Sequence, residues 1–90
     1  LHDKGVIIDC NQGLCNITGY TYQELIGSNG LDLIAPEFRP MVIEKIQTGY
    51  DQPYDVEGIR KDGSRYFLEI HGRNIPLNGR TIRVTEFRDI

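Results

Sequence analysis

Thr18-Gly19-Tyr20-Thr21-Tyr22-Gln23-Glu24-Leu25-Ile26-Gly27 sets two helix boundaries and two glycines within ten residues. Thr21 and Glu24 have the spacing of a capping box, in which each residue's side chain accepts from the other's backbone amide. A short helix is therefore expected from Tyr22 to Ile26, closed by Gly27. Gly19 follows the apolar pair Leu14 and Ile17, where a left-handed residue ends an earlier helix. The two helices meet at a sharp corner. Neither is long enough to persist without tertiary packing, so the rest of the chain must supply a surface for them.

Working outward, Val6 to Cys10 is an apolar, β-branched run that reads as a strand. It follows a turn at Asp3-Lys4-Gly5, before which Leu1 and His2 read as the end of an earlier strand. Asn11 is the expected N-cap of the first helix, which Gly13 weakens by roughly 1 kcal/mol relative to alanine. Downstream of the corner, Ser28-Asn29-Gly30 is a loop and Leu31 to Ile34 a brief apolar turn. Ala35-Pro36-Glu37 begins a longer helix, with proline at its first position and an acid in its first turn. Phe38, Val42 and Ile46 recur at four-residue intervals on it, Met41 and Ile43 widen the stripe, and Gly49 closes it. The period then changes to two. Tyr54 to Arg60, Arg65 to Arg73 and Arg80 to Arg88 are strand candidates, separated by the turn signals Asp62-Gly63 and Asn78-Gly79. This order implies an α+β domain, an antiparallel sheet with short helices gathered on one face.

Ninety residues make one domain, of a size that buries only about 60 to 65% of its unfolded surface. The net charge of −3 is unevenly spread. Residues 1 to 59 carry three Lys/Arg against nine Asp/Glu, and residues 60 to 90 carry seven against four. The basic excess is interleaved with acids along strand segments, the pattern of a solvated sheet face rather than a nucleic-acid surface. Cys10 and Cys15 provide neither a disulfide framework nor a CxxC pair, and read as reduced, buried thiols. No apolar run approaches a membrane span, and no signal pattern opens the chain. These features place the domain in the cytoplasm, without membrane contact of its own. A start on Leu1 suggests a module, residues 1–90, cut from a longer polypeptide.

Gly5-Val6-Ile7-Ile8-Asp9-Cys10-Asn11, Thr18-Gly19-Tyr20, Glu24-Leu25-Ile26-Gly27, Pro36-Glu37, Lys61-Asp62-Gly63-Ser64 and Arg88-Asp89-Ile90 stand in the order and spacing of one family. Along nearly its whole length the chain resembles a PAS domain of the sensory-box type. The resemblance implies a sheet of nominally five antiparallel strands, the first largely absent here, with helices enclosing a small cavity. It also implies signalling rather than catalysis. The flavin-binding branch carries a cysteine after the Gly27 loop, where this chain has Gly30, and the haem-binding branch a histidine on the long helix, where residues 36 to 48 have none. No flavin, haem or metal is therefore expected, and an unidentified small molecule remains the expected ligand.

A cavity of the implied kind draws its candidate lining from Asn29, from Met41, Val42 and Ile46 on the long helix, and from Tyr54, Tyr66, Leu68, Ile70, Val84 and Glu86 on the strands. Alternation in the last strand sets Glu86 on one face with Ile82 and Val84, taken here as the face toward the helices. An unpaired carboxylate there would be costly. A bulge turning it outward, a structural salt bridge and a polar anchor for a ligand are the three readings. His71 falls on the outer face beside Glu69 and lacks the partners a metal site needs. In the resembled family Asp89 couples the domain to a following helix, often through an ion pair; here Lys61 or Arg88 are the candidate partners, and a plain surface acid is the competing reading.

The resulting expectation is a ligand-sensing, homodimerising module that controls an output domain in the same polypeptide, first of all a sensor histidine kinase. A diguanylate cyclase or phosphodiesterase is the alternative output. A structural dimerisation module without ligand is the competing reading. No nucleophile, metal set or phosphate loop supports an enzyme.

Overall fold

The computed structural model describes every residue except Lys4 and the side chain of Asp3, so part of the expected Asp3-Lys4-Gly5 turn lies outside the described residues. Helix α1 (Gln12–Thr18) starts as expected, with Asn11 Oδ1 accepting from the Leu14 amide at 3.0 Å. It ends on Gly19 at φ 80°, whose amide donates to the Cys15 carbonyl. Helix α2 (Tyr22–Leu25) carries the full capping box. Thr21 Oγ1 accepts from the Glu24 amide at 3.2 Å, and Glu24 Oε1 accepts from the Thr21 amide at 3.0 Å. The corner buries Leu25 with Ile7, Cys15 and Leu33 in one apolar cluster, which supplies the packing that such short helices require.

Glu24 has a second task. Its Oε2 accepts from Lys61 Nζ at 2.7 Å, joining α2 to the loop that follows residue 59 and precedes residue 65 in the sheet. The Lys61 bond, followed by the Thr21 amide, holds the Glu24 carboxyl down at about 2. A depressed carboxyl stabilises the fold above its unfolded value near 4.5, and that contribution is lost as pH falls toward 2. The thermal stability gap between wild type and Glu24→Gln is accordingly expected to close on acidification across that window. A gap that persists at pH 2 would mean that the ion pair does not act on stability.

A 3₁₀ turn at Gly30–Leu33 follows, capped by Asn29 Oδ1 on the Leu31 amide. The long helix departs from expectation. Pro36–Phe38 is a separate 3₁₀ turn, and α3 spans Arg39–Gln47. Pro40 has no N–H to give the Pro36 carbonyl, which accepts from Arg39 instead, so a continuous α-helix from Pro36 is blocked. Phe38, Val42 and Ile46 do pack on the sheet, with Val42 buried. Met41 and Ile43 are exposed and do not widen the stripe.

The sheet has five strands in the order β2-β1-β5-β4-β3. Strands β1 (His2–Asp3) and β2 (Val6–Ile7) form a minimal hairpin, shorter than the expected Val6 to Cys10 run. The meander β3 (Tyr54–Ile59), β4 (Arg65–Leu77) and β5 (Arg80–Asp89) makes up most of the sheet. Ile34, Val42, Val56, Tyr66, Leu68 and Ile70 form the main core between it and the helical section.

Register corrects the reading of β5. Asn78 and Gly79 both have positive φ, 50° and 77°, and close a two-residue turn that pairs Leu77 with Arg80. From there Ile70 faces Phe87, Gly72 faces Thr85 and His71 faces Glu86. Directly paired residues share a face, so Arg83, Thr85 and Phe87 lie on the helix side with Ile70, while Glu86 is exposed on the other side with His71. Glu86 thus needs neither a bulge nor a buried partner. Ile82 and Arg83 are consecutive and both buried, so β5 is covered on both faces near the point where it pairs with β1, at His2 and Arg83.

Candidate functional site

Between the helical section and the sheet lies a cavity of about 640 Å³, within the range of small-molecule sites. Leu14 and Ile17 of α1, Leu31, Ile34, Val42 and Ile46 give it apolar walls, and Ile70 and Phe87 form part of its floor. Consecutive residues Arg83 to Phe87 all border it, which alternating side chains alone would not produce. The cause is the short β1. It pairs with β5 only through His2 and Arg83, so the β5 edge beyond borders the cavity.

The candidate residues divide accordingly. Val42, Ile46, Tyr54, Ile70, Val84 and Glu86 border the cavity. Met41 is exposed, Tyr66 and Leu68 are packed in the main core, and the Asn29 side chain is spent on its cap. Cys10 borders the cavity and Cys15 is buried in the cluster with Ile7, Leu25 and Leu33, both as free thiols. Burial, and then the adjoining Cys15 thiol, push the Cys10 thiol up, away from a reactive thiolate. Among the described residues, no three His, Cys, Asp or Glu side chains are grouped to hold a metal ion.

One polar residue at the cavity was not anticipated. Arg83 is only 5% exposed. Its Nη1 donates to Asn74 Oδ1 at 3.1 Å and its Nη2 to the Tyr50 carbonyl. Beside it, His2 Nε2 and Thr85 Oγ1 are hydrogen-bonded at 3.2 Å, and the half-buried Tyr54 phenol is pushed up by burial. Counting pairs outward from the Asn78-Gly79 turn, rather than along β5 alone, would have placed Arg83 inside.

At the opposite end of β5, Asp89 pairs with Arg60, not with Lys61 or Arg88. The Arg60 Nη2 to Asp89 Oδ2 distance is 3.8 Å, whereas Lys61 is engaged by Glu24 and Arg88 stands 4.0 Å from Glu69. Arg60 also donates from Nε to the Ile17 carbonyl at 3.2 Å, and its guanidinium lies 4.3 Å over the Tyr66 ring. One side chain therefore links the end of α1, the core and the last residues of the sheet.

The profile of the PAS domain family matches residues 1–90. The chain belongs to the PAS domain family. PAS domains are in general non-catalytic sensory modules. Solved structures share the fold at low identity. A PAS domain from a two-component sensor histidine kinase is 19% identical at a TM-score of 0.84, covering 100% of this chain and 80% of that one. The PAS domain of an HTR-like protein from Haloarcula marismortui is 23% identical at 0.83, covering 97% of this chain and 74% of that one. A light-oxygen-voltage domain, whose mechanism was probed with a flavin analogue, is 22% identical at 0.79, covering 94% of this chain and 67% of that one. No helix among the described residues of this PAS domain is long and apolar enough to cross a membrane.

Position 30 bears on flavin chemistry. A Cβ on Gly30 would sit 3.5 Å from the Gly5 carbonyl and 3.9 Å from Ile7, against the first hairpin. The cysteine that the resemblance assigns to the flavin-binding branch is glycine at this position, while light-oxygen-voltage domains are among the structures that share the fold.

Proposed function

We propose that this PAS domain senses a small molecule in the cavity and transmits its presence through β5 to an output domain in the same cytoplasmic polypeptide. The cavity itself, about 640 Å³ with apolar walls and a buried arginine, Arg83, among its polar lining, carries this reading. Occupancy would shift the balance between two sheet arrangements, by no more than the ligand's differential affinity for them. Arg60 is the natural relay, because it touches α1, the core residue Tyr66 and the terminal Asp89 together. A sensor histidine kinase is the output we favour, supported by the fold shared with such a domain; a cyclic-dinucleotide enzyme is the alternative.

The outer sheet face favours association with a second copy. Phe67 is 70% exposed there, and Ile90, 51% exposed, is joined to it by the Ile90 amide on the Phe67 carbonyl. Native mass spectrometry of the purified protein, followed by a denatured spectrum, tests both points. Expected are a dimer and an excess mass lost on denaturation. A monomer would refute self-association, and a dimer without excess mass would favour a structural module.

A further inference from the structure

The geometry points to a small carboxylic acid as the cavity's ligand, its carboxylate on Arg83 and its apolar part among Leu14, Ile17, Ile34, Val42, Ile46 and Ile70. The inference rests on the ligand-sensing reading above and names the ligand's chemical class. A guanidinium removed from water is costly unless an anion and full hydrogen bonding compensate it. Arg83 is 95% buried by its exposure of 5%, yet its two hydrogen-bond acceptors, the Asn74 side chain and the Tyr50 carbonyl, are both neutral. Among the described residues no carboxylate lies within 4.0 Å of it. A guanidinium also carries more N–H donors than these two acceptors take. The carboxylates that border the cavity, Asp9 and Glu86, are both exposed.

The position is built rather than incidental. A Cβ on Gly72 would meet Arg83 Nε at 2.8 Å and Nη2 at 2.9 Å, so the absence of a side chain there is what lets the guanidinium lie flat on the sheet. The anion is matched in charge. Arg83 is the one Lys or Arg among the described residues that border the cavity, which suits a single negative charge better than a phosphate dianion. Thr85 and Tyr54, at the same end, carry hydroxyls that could donate to the second carboxylate oxygen. The walls formed by Leu14, Ile17, Ile34, Val42, Ile46 and Ile70 are aliphatic and suit a short hydrocarbon part.

Calorimetric titration with hexanoate and with hexanamide separates charge from shape, since the two differ little in size. Wild type is expected to bind hexanoate about tenfold or more tightly than hexanamide. Arg83→Gln is expected to lose that preference while keeping hexanamide binding, which also shows that the variant's cavity is intact. Equal affinities in wild type would overturn the carboxylate assignment and leave the sensing cavity standing. Binding of neither would overturn the assignment, and an absence of excess mass in the native spectrum would then overturn the sensing reading as well. The wild-type comparison decides the matter even if Arg83→Gln does not fold.

Discussion

Leu68→Ala is expected to lower the unfolding free energy by about 3 kcal/mol and Tm by about 10 to 20 °C. Leu68 is fully buried, paired across the sheet with Val56, and packed with Ile34, Val42 and Ile70. It does not border the cavity, so truncation leaves a sealed void with no solvent to fill it and no side chain to relax into it. Ile70→Ala provides the internal comparison. Ile70 faces the open space, and its truncation enlarges an existing cavity rather than creating one, so its loss is expected to be smaller by about 1 kcal/mol. Urea unfolding of the two variants at unchanged m measures the difference. A larger loss for Ile70→Ala would mean that the space beside it is closed in solution.

Gly58→Ala is expected to cost about 2 kcal/mol, more than an exposed edge strand would suggest. Gly58 is paired directly with Tyr66, and the added Cβ would lie 2.5 Å from Tyr66 Cζ. The ring occupies the space above the glycine, so one of the two must move. Tyr66 is held there by the core below and by Arg60 above. Burial pushes its phenol up to about 12 from an ordinary 10. A raised tyrosine stabilises the fold fully below 10 and loses that contribution as pH rises toward 12. Ultraviolet pH titration of wild type should therefore show Tyr66 ionising late. In Gly58→Ala the displaced ring should ionise nearer 10, and Tyr66→Leu should remove most of the cost of the glycine substitution. Additive losses in the double variant would show that the two residues do not compete for one space.

Much of this fold was legible residue by residue. Asn11, Thr21 with Glu24, Gly19 and Gly49 act within a few positions of themselves, through hydrogen bonds and backbone angles that neighbouring residues determine. The same holds for the Asn78-Gly79 turn. Gly27 does not close α2 as expected: the helix ends at Leu25 on an extended Ile26, and the Gly27 amide donates to the distant Ile7 carbonyl. The long helix was misplaced because Pro36 was weighed without the effect of Pro40 on the carbonyl behind it. The β5 face was misread because alternation assigns residues to two sides of a strand without saying which side is covered. The pairing of Ile70 with Phe87 settles that, and it depends on register across the sheet.

The sequence by itself determined the α+β order, the caps, the turns and the membership of the PAS family, since each is written in local spacing. Only the tertiary structure decided that Arg83 is buried beside the cavity, that Asp89 meets Arg60 rather than Lys61, and that Glu86 stands in solvent. Those outcomes follow from contacts between residues far apart in the chain. Which of several arginines reaches a given carboxylate is set by strand register and helix placement together, and neither is encoded at the position of the arginine itself.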